Sequence, residues 1–94
     1  MQAIVESRDH IRTTKEEDRA FEATVLRHVL VLHPSPITQA ELVRELGGGE
    51  DGFELRDAVE RAVRELVGCG LLHRSAALVL PSRAALRCEE LFGD

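Results

Sequence analysis

Residues 53–72 read FELRDAVERAVRELVGCGLL. Leu55, Ala58, Val59, Ala62, Val63, Leu66 and Val67 recur at steps of three and four, which predicts a helix over 53–67 with one apolar face turned to a core. GCG follows, and glycine just beyond the last periodic residue is the usual way a helix ends. The outward positions are Glu54, Asp57, Glu60, Arg61 and Arg64. Asp57 to Arg61 and Glu60 to Arg64 are i,i+4 pairs with the acid N-terminal, the favourable order on an exposed helix, contributing about 0.2–0.5 kcal/mol each. The arginines of this helix therefore have acidic neighbours of their own.

Toward the N-terminus, GGGEDG predicts a flexible turn, and before it ITQAELVREL (37–46) predicts a short helix. Thr38 and Glu41 have capping-box spacing, and Ile37, Ala40, Leu42, Val43 and Leu46 supply its apolar positions. Earlier still, Thr14 and Glu17 repeat that spacing and announce a helix over 15–32. Its VLRHVLVL portion is apolar nearly all round, the pattern of a helix covered on every side, so part of it is expected to meet another subunit. HPSP ends it, because Pro34 and Pro36 cannot continue the helical hydrogen bonds. Residues 1–13 are compatible with a short strand, an arm on a partner or a frayed end; a partly ordered arm is the favoured expectation.

Toward the C-terminus, LLHRSAALVLP predicts two short strands over 71–80 around a turn near Ser75 to Ala77. Ser82 then caps a last helix over 82–92, whose Ala84, Ala85, Cys88, Leu91 and Phe92 share a face that needs something to pack on.

The order of these elements resembles a winged helix-turn-helix domain over roughly residues 15–92. ITQAELVRELG looks like the first helix of the helix-turn-helix, and DAVERAVRELVGCGLLHR like the second helix passing into the wing. The fold class expected is mainly α with a small β-hairpin: a helix-turn-helix over 37–67 within a three-helix core, a wing over 71–80 and a C-terminal helix, in one domain. The resemblance implies a homodimeric transcription regulator whose third helix enters the major groove of double-stranded DNA while the wing touches the backbone or minor groove. Carried onto this chain, the DNA-contacting residues are Arg44, Arg56, Arg61, Arg64 and Arg74. The dimer interface is expected at Phe21, Val25, Val29, Leu32, Leu91 and Phe92. The alternative is a winged-helix module that contacts proteins and does not bind DNA.

Charge separates the two readings. Over 94 residues the formal net charge is −5, whereas non-specific DNA affinity comes from a basic surface. Between residues 53 and 67 four acids face three arginines, and Arg74 is the wing's one basic residue. Among the twelve basic residues only Lys15 is a lysine, a bias that a GC-rich genome also produces.

Other chemistries find little footing. His10, His28, His33 and His73 form no H-x-x-x-H pair, and Cys69 lies four residues from His73 across a helix end, so no metal site is expected. Cys69 and Cys88 are expected to be reduced apolar fillers rather than a disulfide. GGGEDG lacks the lysine and hydroxyl of a phosphate loop, and Ser35, Ser75 and Ser82 are turn or cap serines, so neither an enzyme nor a cofactor is expected. With Phe21, Phe53 and Phe92 as the only aromatics, neither a base-stacking site nor a small-molecule pocket is expected. No apolar run approaches the roughly 20 residues that span a bilayer, and the start has no leader pattern, which makes a cytoplasmic location the default expectation.

Overall fold

The structure is a computed structural model that describes residues 14–93; the expected arm of residues 1–13, including His10, lies outside them. Four helices and three short strands follow one another as α1 (Thr14–Leu32), β1 (Ile37–Thr38), α2 (Gln39–Leu46), α3 (Phe53–Gly68), β2 (Leu72–Ser75), β3 (Leu78–Pro81) and α4 (Arg83–Phe92). The chain is mainly helical, with an antiparallel sheet in the order β1-β3-β2.

Local chemistry accounts for most of the boundaries. Thr38 caps α2: its hydroxyl accepts the Glu41 N–H at 3.1 Å, and the Glu41 carboxylate accepts the Thr38 N–H at 2.9 Å, a complete capping box. At the other end of α2, a Cβ on Gly47 would collide with the Glu50 carbonyl oxygen and with the Leu55 side chain, so the α2–α3 turn admits only glycine here. α3 closes in a Schellman motif. Gly70 takes φ 88 and donates to the Val67 carbonyl at 3.1 Å, while Leu71 donates to the Leu66 carbonyl at 2.9 Å. Ser82 then ties α4 to this corner, its hydroxyl donating to the Gly70 carbonyl at 2.6 Å while accepting the Ala85 N–H at 3.1 Å.

Two details differ from the sequence expectation, and a third adds to it. Thr14 is the first residue of α1 rather than its cap. Ile37 is not a helix residue: it pairs with Val79 and Thr38 with Leu78, forming a third strand whose partner lies about forty residues away in sequence. The hairpin turn lies within the expected stretch, as the two-residue link Ala76–Ala77, and holds Ala76 at φ 56, in the left-handed region that favours glycine.

The core lies where α1, α2, α3 and the sheet meet. Val25, Leu42, Val59 and Val63 are fully buried, joined by Val29, Ile37, Val43, Leu66, Leu72 and Val79. This corrects the reading of α1. Its apolar girdle is covered by α3 and β3 of the same chain, so Val25 and Val29, expected at a dimer interface, have no surface left to offer a partner. Phe21 and Leu32 are partly buried against the same core, and Val31 is the residue of α1 that remains openly apolar.

The cysteines also depart from expectation. Cys69 and Cys88 are both free and exposed, so neither fills the core. Phe53 and Phe92 likewise lie on the surface.

Candidate nucleic-acid interface

The five arginines expected to meet DNA fall into three situations. Arg64 and Arg74 converge on Glu60. Arg64 lies one turn further along α3 and donates to Glu60 Oε2 at 3.0 Å; Arg74 reaches the same carboxylate from β2 at 3.4 Å. Gln39, the first residue of α2, donates its side-chain amide to Glu60 Oε1 at 2.6 Å. Three elements are thus laced together at one carboxylate. Glu60 holds its proton less tightly than an ordinary carboxyl, chiefly because of the Gln39 hydrogen bond and then that of Arg64, with Arg74 adding a smaller pull and partial burial opposing.

The sheet register explains how a wing arginine meets α3. Arg74 pairs with Val79 and Leu72 with Pro81, so Arg74 shares the sheet face of buried Leu72 and Val79, the side that packs on the helices. Arg74 emerges at the edge of that face beside Glu60, and its side chain remains 40% exposed. His73 and Ser75 alternate to the other side.

Arg61 takes a different route. It lies 3.3 Å from Asp57, the expected i,i+4 pair, and 3.9 Å from Asp18 on α1, which turns it into a link between α1 and α3. Arg44, in the last turn of α2, and Arg56, in the first turn of α3, make no ion pair among the described residues. Both are exposed, and they flank the turn that carries Glu50 and Asp51.

The structure therefore brings Arg64 and Arg74 together with Gln39, sends Arg61 toward α1, and gives Arg44 and Arg56 no ion pair among the described residues. From Gln39 to Ser75 there are eight acidic residues against five arginines, a formal −3. Gln39 and Asp18 had no signal in the sequence, because their partners lie 21 and 43 residues away. The same holds for His28 on α1, whose Nε2 lies 2.6 Å from Glu45 Oε1 on α2.

Of the residues expected at an interface, Leu91 and Phe92 are open, 59% and 85% exposed. Among the described residues no cluster of His, Cys, Asp or Glu could hold a metal ion, and no helix is long and apolar enough to cross a membrane. No protein family, curated protein or solved structure matches the chain.

Proposed function

We propose that the chain is a winged helix-turn-helix module that binds double-stranded DNA as a homodimer and regulates transcription. The reading draws on the order of its elements and on one observation above all: the first residue of α2, the outer face of α3 and the hairpin strand β2 present Gln39, Arg64 and Arg74 on a single surface around Glu60. A phosphate run along that surface meets two guanidinium groups and one amide, groups that pair with phosphate or with base edges. Arg44 and Arg56 extend the available positive charge.

The test is fluorescence anisotropy of labelled random-sequence duplex DNA at low and near-physiological salt. The proposal expects association that weakens as salt rises, and a loss of association in the Arg64→Ala, Arg74→Ala double variant. No association at low salt refutes it.

A second reading has its own observation. Glu60 already pairs with both arginines that would face phosphate, offsetting one of their two charges, and the surrounding segment carries a net negative charge. That arrangement suits a winged-helix module that docks a protein and repels nucleic acid. It expects no duplex affinity at any salt concentration.

A further inference from the structure

Gln39 is the neutral member of the Glu60 cluster, and its amide has a fixed direction. An ionised carboxylate accepts hydrogen bonds and donates none. Glu60 gives up its proton more readily than an ordinary carboxyl, so at neutral pH it takes the NH2 side of the amide, with Gln39 Nε2 at 2.6 Å from Glu60 Oε1. Repulsion between acceptors keeps the amide oxygen of Gln39 away from the carboxylate. Nothing among the described residues donates to that oxygen, and no buried side-chain oxygen or nitrogen among them lacks a partner, so it faces solvent. One of the two Nε2 hydrogens is unclaimed as well.

The backbone beneath the side chain is held from two sides. Gln39 directly follows the Thr38 cap of α2, and its own N–H donates to the Ala77 carbonyl in the hairpin turn at 3.4 Å. An amide held in this way does not turn over to suit an arriving partner. The partner must bring a donor for the oxygen and an acceptor for the remaining N–H.

From this we infer that Gln39 reads an adenine in the major groove, its Oε1 accepting from the adenine N6 amino group and its Nε2 donating to N7. The inference rests on the DNA-binding reading above and gives that surface a base preference.

The groups a duplex offers single out this base. Phosphate oxygens only accept, so they repel an outward amide oxygen. In the major groove guanine shows two acceptors, thymine an acceptor and a methyl group, and cytosine a lone donor; adenine sets a donor beside an acceptor. Arg64, bound to the other oxygen of Glu60 at 3.0 Å, only donates, and so suits guanine or phosphate. The two heads sit on the two oxygens of one carboxylate, which places the partner of Arg64 next to the adenine. Glu60 itself is a positioning residue here: it sets which way Gln39 faces.

The experiment is selection of bound duplexes from a random-sequence pool by the full chain at low salt, followed by anisotropy titrations of the selected duplex and its single-base variants. The wild type is expected to enrich an A·T pair at one position and to bind any other pair there about ten-fold more weakly. Gln39→Ala is expected to lose the preference at that position alone. It should keep the slope of log K against log salt, because an uncharged amide releases no counterion. Replacing the selected adenine by 7-deazaadenine, which keeps base pairing and lacks the N7 acceptor, is expected to weaken wild-type binding about five-fold. That arm needs no variant to fold.

An adenine preference that survives Gln39→Ala overturns the inference, as does binding indifferent to 7-deazaadenine. Equal weakening of every duplex by Gln39→Ala would make the residue a phosphate contact or a scaffold residue, and association without any base preference would leave it nothing to read; both overturn the inference while DNA binding stands. No association at low salt refutes the DNA-binding reading itself.

Discussion

Glu60→Gln is the substitution that puts the most weight on the Glu60 cluster. The carboxylate lies 3.0 Å from Arg64 and 3.4 Å from Arg74, and a glutamine keeps its shape and can still accept the Gln39 amide proton. A phosphate bound on the far side of either guanidinium would sit about 7 Å from the carboxylate, where repulsion in water is about 0.6 kcal/mol. Two such phosphates, one at each arginine, bring the penalty to about 1 kcal/mol, which Glu60→Gln removes. Random-sequence duplex binding at low salt should therefore tighten about five-fold, by the equivalence of 1.4 kcal/mol and a factor of ten. Each further phosphate neutralised once Arg64 and Arg74 are released should steepen the plot of log K against log salt by about 0.9. The ion pairs given up are surface pairs, each contributing at most about 1 kcal/mol, so the fold persists and the comparison is clean. Anisotropy titrations at several salt concentrations read both numbers. Unchanged affinity and slope, in a variant that melts like the wild type, would show that Arg64 and Arg74 do not meet phosphate.

The other predictions concern the scaffold. Thr38→Ala removes the α2 cap and should cost about 1 kcal/mol in urea unfolding; an unchanged midpoint would mean that water satisfies the freed N–H equally well. Ala76→Gly relieves a left-handed alanine, a strain of about 1–2 kcal/mol, against a glycine entropy cost of about 0.5–1 kcal/mol, so the melting temperature should rise; a fall would place the hairpin turn in a different geometry. Glu41 and Glu60 both hold their protons less tightly than the ordinary carboxyl value of 4.5, the first mainly through the Thr38 N–H and hydroxyl, the second mainly through Gln39. The unfolded chain thus binds more protons than the folded one as pH falls, so their stabilisation is complete above that value and is lost below it, through the lowered folded-state values. Melting temperature followed from neutral to acid pH should drop less steeply in Glu60→Gln than in the wild type.

What was legible in the sequence was chemistry that closes within one helical turn. The Thr38–Glu41 box, the Ser82 cap, the glycine that ends α3 and the apolar face of α3 all depend on neighbours within about four residues. Contacts that close over longer spans were not. The strand formed by Ile37 exists only because Val79 is beside it, and a two-residue strand leaves no alternating pattern to read. Arg74 was expected at DNA as the wing's basic residue, but that its register with Val79 brings it beside Glu60 could not be read from the sequence. The apolar girdle of α1 was legible, but the identity of what covers it was not: α3 and β3 of the same chain do so, and that removed Val25 and Val29 from any interface. For α4 the apolar stripe was legible as a face that needs something to pack on, and the body holds that helix only at Ala85 and Leu86.

The Glu60 cluster bears on specificity if the surface meets DNA. Surface ion pairs of this kind are weak, and a phosphate contact that releases a counterion can displace them at low salt. With eight acids near five arginines the sequence-independent part of the affinity is small, because neighbouring phosphates meet repulsion as often as attraction. Binding then depends on contacts that form at one site only, such as an arginine pairing bidentately with guanine. The useful quantity for a regulator is the ratio of specific to non-specific affinity, and lowering the denominator raises that ratio as effectively as adding base contacts. Glu60→Gln separates the two parts: it should strengthen binding to random DNA and to a cognate site alike, because the carboxylate acts on phosphates rather than bases. A variant that gained on random DNA but lost on a cognate site would instead assign the carboxylate a direct contact, accepting a hydrogen bond from a cytosine amino group.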